Sequence, residues 1–321
     1  MRLLAAIFSP LFAAALLAQT SPQPKPHSAP SPVSLHPRFA PGQVLRYKIV
    51  LETTTVGGSS GLVQDSAASG QLILTWNAIV RIDVLTPEPS SPAAMRLRTT
   101  YEKSSATVRT DSYDTAANDM IEQYRRLEGR AIEFALDAQG KVIGVQGLDD
   151  IVTDPKAQRD ARQWIEQLST GPGPSGSVAS PGQQWTADQP AEGLPLAGMV
   201  WRTTAVYLRD TPCLRSGVPA QKTQQKPEMC AVIVTHLNLI PPKSQHDTTS
   251  DELRARGMTA AGTWAGSGES ESYISLRSGW VIAVNQTGME KMDVTVTNEH
   301  DDALRYNGTV VTRTNLQLVP D

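Results

Sequence analysis

The clearest pattern in the chain is an alternation of apolar and polar residues over Gln71–Leu85. Successive side chains of a β-strand point to opposite faces, so a period of two predicts a strand with one buried and one mostly polar face. At about 3.3 Å per residue this strand would be about 50 Å long, whereas strands usually have about five or six residues. Because sheets twist, we expect a sheet of such strands to coil into a half-barrel or a barrel. The buried face is predicted to contain Leu72, Leu74, Trp76, Ala78, Val80, Ile82 and Val84.

The same alternation recurs along most of the chain and predicts a mainly β protein with antiparallel strands. Long strands are predicted at Val44–Glu52, Met95–Val108 and Gly308–Val319, and a hairpin at Ala131–Val145. Glycine is the strongest local signal for a turn. Gly57–Gly61 is therefore predicted to be a flexible turn and Gly266–Gly268 a loop.

Two segments have the period of a helix instead. Thr115–Leu127 places Met120, Tyr124 and Leu127 on one face, and Gly129 follows it. Asp154–Leu168 carries an N-cap aspartate, a proline at the first helical position and an apolar face. The fold class is thus α+β with two short helices, and we expect the second helix to fill or cover a cavity of the sheet.

Composition divides the chain into five parts. Residues 1–18 have the charged start and apolar core of a signal peptide, although an uncleaved membrane anchor is the alternative. Residues 19–41 are Pro-rich and are predicted to be a disordered tether. Residues 42–170 form a first β lobe, 171–180 a linker and 181–321 a second β lobe. The predicted location is therefore outside the cytoplasm, in a periplasm or the extracellular medium.

Two short repeats suggest that the lobes are duplicates. Pro41-Gly42-Gln43 precedes the first lobe and Pro181-Gly182-Gln183 precedes the second. The hairpins that begin at Phe134 and Ile274 also correspond in order. Repeats this short also arise by chance, so the sequence leaves duplication open.

The two cysteines, Cys213 and Cys230, bracket a polar segment between two predicted strands, Met199–Leu208 and Ala231–Leu239. In an exported chain such a pair is most simply a disulfide at the base of a hairpin loop. The alternatives are a redox-active pair, which normally has Cys-x-x-Cys spacing, and two buried thiols in a cell that lacks oxidative folding.

Catalytic and cofactor motifs are weakly represented. The formal net charge of −3 gives no basic field for nucleic acid. The histidines lack the spacing of a zinc site, so neither a metal nor a cofactor is predicted. Glu269 and Glu271 form an acid pair that we assign to a turn or strand end, where solvated charges are expected. The predicted ligand-facing residues are instead apolar: Leu72, Leu74, Trp76, Val80, Ile82, Trp201 and Trp280.

A signal peptide, Pro-Gly-Gln before a strand, a Phe-Ala-Leu-Asp-Ala-Gln-Gly-Lys-Val hairpin and a second Pro-Gly-Gln-Gln-Trp together resemble exported bacterial β-proteins of uncharacterised function. The architecture also looks like that of the curved-sheet carriers of the LolA and LppX kind. Those carriers hold acyl chains on an apolar concave surface. The long strands and the absence of catalytic constellations favour a non-catalytic envelope protein that binds a lipid, another apolar molecule or an envelope protein partner on its curved sheet. The alternatives are a structural or protein-interaction module and, less favoured, a carboxylate-based hydrolase. No transmembrane segment is predicted in the mature chain.

Overall fold

The computed structural model of the protein is mainly β, with a large antiparallel sheet that is not closed into a barrel. It describes residues 32–61, 64–86, 93–111, 115–138, 142–152, 158, 178–191, 193–213, 228–242 and 248–319. Eleven strands form the large sheet and two short strands form a second one. The predicted fold class is confirmed, and of the two predicted forms, a half-barrel or a closed barrel, the closed barrel is not observed.

The chain starts at the centre of the large sheet with β2 and runs strand by strand to one edge at β6. It then crosses to the other edge at β8 and runs strand by strand back to the centre, where β13 pairs with β2. The order across the large sheet is β6-β5-β4-β3-β2-β13-β12-β11-β10-β9-β8, and β1 pairs with β7. The longest strands therefore lie in the middle and the short ones at both edges. The bounds are β1 Val33–Ser34, β2 Val44–Gly61, β3 Gln64–Leu85, β4 Met95–Thr110, β5 Ala131–Leu136, β6 Val142–Gln146, β7 Val178–Ala179, β8 Gln184–Pro190, β9 Val200–Pro212, β10 Met229–Ile240, β11 Thr259–Ser275, β12 Val281–Thr297 and β13 Ala303–Val319.

The glycine-rich segments belong to strands, so their assignment to a turn and a loop was wrong. Gly57 pairs with Gly308 of β13, and Gly268 pairs with Gly288 of β12. A Cβ added at Gly57 would lie 2.6 Å from the Cα of Gly308. Glycine is needed here because two backbones approach closely, which is its other common role inside a sheet.

The helix predicted at Thr115–Leu127 is present as α1, Thr115–Arg125. A second helix, α2, spans Asp251–Arg254 and was not predicted. It is a single turn in which the Ser250 side chain accepts a hydrogen bond from the Leu253 amide. The helix predicted at Asp154–Leu168 lies outside the described residues, apart from Gln158.

The two Pro-Gly-Gln turns have the same geometry. Gly42 and Gly182 have φ values of +84° and +86°, which glycine adopts without steric strain. Each turn precedes a strand, β2 or β8, and its glycine amide donates to a carbonyl of the strand that pairs with it. The acceptors are Val84 of β3 and Tyr207 of β9. Each glutamine side chain accepts from the amide three residues earlier. The repeat is therefore local and structural, and duplication of whole lobes stays a prediction.

Residues 32–41, assigned by sequence to the tether, lie against the sheet. β1 pairs with β7, and Leu35 is buried. The Trp280 indole donates a hydrogen bond to the Arg38 carbonyl. Apolar side chains among the prolines account for this docking, because Leu35 has a cluster to enter.

The predicted disulfide is present between Cys213 and Cys230, whose Cα atoms are 5.0 Å apart. It lies where β9 and β10 meet, next to the pairing of Pro212 with Met229. In the chain-entropy model, closing a loop of this size stabilises the fold by about 3 kcal/mol.

Candidate functional site

One face of the large sheet carries the hydrophobic core, and we call it the inner face. α1 lies on this face over β4. The Tyr124 ring centroid is 5.3 Å from that of Trp76, and the Trp76 indole donates to the Ser104 hydroxyl. Ser104 in turn donates to the Tyr124 carbonyl. We call this the Trp76 cluster; it also contains Leu45, Tyr47, Ile49, Leu51, Leu74, Ala78, Val80, Val284 and Leu316.

Two further clusters cover other parts of the inner face. Near the β8 edge, Leu35, which follows β1, and Ala179 of β7 pack against Trp185 and Tyr207. At the opposite end of β9–β12, Leu196 and Met199 pack with Leu239, Ala260 and Val294, and Leu253 of α2 joins them. The three clusters leave a region between them.

That region is half-buried along its whole length. Every inner-face residue of β11–β13 within it is partly exposed, whereas most of their neighbours on the other face are exposed. The Trp201 side chain lies on it, because a Cβ added at Gly266 would collide with the Trp201 ring. We call this the central strip: Trp264, Gly266, Gly268, Ser270, Gln286, Gly288, Glu290, Met292, Gly308, Val310 and Thr312.

The central strip is polar at its end next to Val284 and apolar at its other end, where Trp264 and Met292 pair. Gln286 and Ser270 pair with each other, and Thr235 of β10 pairs with Ser270. On the other side Thr312 pairs with Thr53 of β2. Side chains with hydroxyl and amide groups thus lie side by side on five neighbouring strands of a face that elsewhere forms a core. Polar groups that are removed from water need hydrogen-bond partners.

Glu290 is exceptional among these residues. Across β2 and β10–β13 it is the one charged side chain on the inner face at positions whose side chains the structure describes. Its carboxylate accepts a hydrogen bond of 3.0 Å from the Trp264 indole. Its charge therefore has a fixed position within the central strip.

The opposite face, the outer face, carries a shallow polar groove of about 490 Å³. Glu52 of β2 and Arg313 of β13 form an ion pair of 3.0 Å at one end. Glu269 and Glu271 lie at the other end, in the middle of β11 and not at a turn or strand end as predicted. Burial, together with a hydrogen bond to Glu271, raises the pKa of Tyr273. Solvated cross-strand pairs of this kind are usual on the wet face of an antiparallel sheet.

The predicted ligand-facing residues fall into two groups. Leu74, Trp76 and Val80 are buried inside the Trp76 cluster, and Leu72, Ile82 and Trp280 pack against its border. Trp201 lies apart from them beside the central strip. The structure therefore brings six of the residues together in a packed cluster and one next to the half-buried region.

Sequence reasoning missed the residues that define the strip. Trp264 and Met292 lie in alternating stretches, so their burial on one face could have been found. The position of Glu290 within a mostly uncharged face could not, because it depends on the pairing of β11 with β12 and of β12 with β13.

Other chemistry is sparse in the described part of the chain. It contains no group of three or more His, Cys, Asp or Glu side chains that could hold a metal ion. His236 Nδ1 lies 3.9 Å from a Glu269 carboxylate oxygen on the outer face. Among the described residues, no helix has the length and apolar character needed to cross a bilayer.

Comparison with known proteins adds no family to this description: no family model matches the chain, and no curated protein shows significant similarity to it.

Proposed function

We propose that this protein binds an elongated apolar ligand on the central strip of its inner face and acts as a non-catalytic carrier or binding protein. The observation that carries the proposal is a half-buried surface between three packed clusters, bordered by Trp201 and Trp264 and with glycines along its floor. Gly288 leaves room for a chain to lie against the backbone, whereas the Trp201 ring lies over Gly266, and the indoles supply large apolar contacts.

The proposal includes the predicted export. A disulfide fits a compartment outside the cytoplasm, because thiols in the cytosol are usually kept reduced. The signal peptide and the resemblance to LolA- and LppX-type carriers belong to the proposal as well.

Native mass spectrometry of the full mature chain with 1-monolaurin, a twelve-carbon acyl glycerol, tests binding. β12 offers a matched pair of variants, since Met292 is half-buried on the inner face and Met289 is exposed on the outer face. Met292→Ser should weaken binding about tenfold, while Met289→Ser should leave it unchanged, because burial of apolar area drives the association. Absence of a bound adduct, or equal effects of both variants, would refute the proposal.

A protein-interaction role is the second candidate, and the outer groove favours it. Its lining combines Glu269 and Glu271 with the Glu52–Arg313 pair, and such mixed charges can set the register of a protein partner. Co-purification of a stoichiometric protein that is lost with Glu271→Lys but retained with Met292→Ser would support this role.

A further inference from the structure

We infer that the central strip contains a site for a compact quaternary ammonium cation, which lies over the paired glycines Gly268 and Gly288, beside the Glu290 carboxylate and the Trp201 indole. This site goes beyond the proposed function, because such a cation has no long apolar chain and its binding requires none. Three features of the strip support it: a carboxylate without a cationic partner, a glycine floor next to that carboxylate and an adjacent aromatic ring.

The charge of Glu290 is not neutralised by any Lys, Arg or His side chain in the part of the chain that the structure describes. No Lys or Arg lies on the inner face of β2 or β10–β13 at the described positions. The Trp264 indole donates to Oε2 of Glu290, so the other oxygen is left to accept a further partner. Because Glu290 is half-buried, water screens its charge less than that of an exposed carboxylate, and the strip attracts a cation.

The space beside Glu290 has a floor of glycine. Gly288 lies two residues before Glu290 on the same face, which corresponds to about 7 Å, and it pairs with Gly268 of β11. Among the described residues, a Cβ added at Gly288 would meet only the Ser267 carbonyl oxygen, at 3.8 Å. The nearest side-chain atom to a Cβ added at Gly268 would be the Leu237 Cβ, also at 3.8 Å. A compact group can therefore lie against the backbone here, next to the carboxylate.

An aromatic ring borders the same space. Gly266 pairs with Glu290 and lies beneath the Trp201 ring, whose Cζ3 atom would be 3.1 Å from a Cβ added at that glycine. Gly266 is two residues from Gly268 on the same face, so the ring stands next to the glycine floor. The π-electrons of an indole attract cations, and this attraction is stronger when the cation is partly removed from water. The ring and the carboxylate thus act on a cation from two sides.

The neighbours of Glu290 favour a quaternary over a primary ammonium group. The inner-face residues next to it are Gly266, Gly288, Met292 and Val310, and none of these has a side-chain oxygen. A primary ammonium is strongly hydrated and has three N–H donors, which one carboxylate does not satisfy. A quaternary ammonium has no N–H donor, so it loses no hydrogen bond to water when its methyl groups contact the glycine backbone and the indole.

The test compares choline with 3,3-dimethylbutan-1-ol, an uncharged analogue in which carbon replaces the nitrogen. ¹H–¹⁵N NMR of the full protein follows the indole N–H signals of Trp201 and Trp264 during each titration. Choline should bind about tenfold more tightly than the alcohol, since only choline carries the charge that the site attracts. Ethanolamine, a primary ammonium, should bind about fivefold more weakly than choline.

Three variants locate the cation. Glu290→Gln keeps an acceptor for the Trp264 indole and removes the charge, so it should weaken choline binding about tenfold. Glu269→Gln removes a charge from the outer face of β11 and is the matched control, with an expected change of less than about twofold. Gly288→Val covers the glycine floor and should weaken choline binding about tenfold, and thermal unfolding checks that the variant stays folded.

Absence of choline binding, or equal affinities for choline and the alcohol, would overturn the cation site. Equal effects of Glu290→Gln and Glu269→Gln, or unchanged choline binding in a folded Gly288→Val variant, would overturn it as well. Ethanolamine binding as tight as that of choline would contradict the assignment to a quaternary ammonium. Binding of 1-monolaurin without choline would overturn the cation site alone, whereas binding of choline without 1-monolaurin would overturn the proposed function alone.

Discussion

The Trp76 cluster and the central strip lie on the same face of the same sheet, yet one is a sealed core and the other is half-buried. The difference comes from what packs on each. α1 places Tyr124 over Trp76, and Met120 and Leu127 close the cluster from the side. In the strip, Trp264 has a carboxylate as its indole partner and glycines as close neighbours. The comparison shows that the alternating pattern around a tryptophan predicts which face of the sheet its side chain lies on. Whether that tryptophan is part of a core or of a surface depends on what packs against it.

The largest effect should come from truncation inside the sealed cluster. Trp76→Ala removes a buried indole and its hydrogen bond to Ser104. We expect a loss of about 3–5 kcal/mol in the free energy of unfolding, measured by urea denaturation followed by circular dichroism. Trp264→Ala, the matched change in the strip, should cost less than half as much. Equal losses would mean that the strip is packed as tightly as the core.

Removal of the disulfide should have the next largest effect, and it perturbs the sheet away from the Trp76 cluster. Replacing both cysteines with serine frees the loop between Cys213 and Cys230 and should lower the free energy of unfolding by about 3 kcal/mol. Hydrogen exchange should show faster opening in β9 and β10 than in β2 and β3. Uniform acceleration across all four strands would contradict a local effect.

High pH should weaken the sealed cluster through Tyr124. Burial raises the pKa of Tyr124 to about 12, above its value of about 10 in an unfolded chain. The folded state keeps the phenol neutral, so this contribution to stability is complete below about pH 10 and is lost as the pH rises from about 10 to about 12. Tyr124→Phe should reduce this loss without abolishing it, because burial also raises the pKa of Tyr47 and Tyr101 in and beside the same cluster. An unchanged profile would show that Tyr124 is not its source.

The smallest predicted effect is a gain. Thr314 is buried on the inner face, and its hydroxyl has no hydrogen-bond partner among the described residues. Thr314→Val should therefore raise the free energy of unfolding by about 1 kcal/mol. Thr312→Val, at a half-buried position of the same strand, should leave stability nearly unchanged. A loss of stability in Thr314→Val would indicate that this hydroxyl does have a partner.

Much of the fold follows from local pattern, because the period of two requires no knowledge of neighbouring strands. The face of β3 from Leu72 to Val84, the helix at Thr115 and the disulfide were predictable for that reason. The glycines of β2 and β11 were misassigned because glycine has the same local signal in a turn and at a close approach of two strands. Only register separates these cases, and Gly57 meets a partner more than two hundred residues away.

The site was less predictable than the fold for the same physical reason. Trp76 and Trp264 both lie in stretches where apolar and polar residues alternate. The residues around each tryptophan do not reveal that a helix packs on Trp76. The single carboxylate of Glu290 becomes informative when the uncharged inner faces of the neighbouring strands are aligned beside it. Such alignment joins segments that lie far apart in the chain.

The most direct test of a ligand site on the central strip is ¹⁹F NMR of the protein with its tryptophans replaced by 5-fluorotryptophan. Each resonance is assigned by a Trp→Phe variant, and 1-monolaurin is then added. We predict that the signals of Trp264 and Trp201 shift, whereas those of Trp76 and Trp185, both buried in clusters, stay in place. Shifts of the Trp76 signal without shifts of Trp264, or no shifts at all, would contradict ligand binding on the strip.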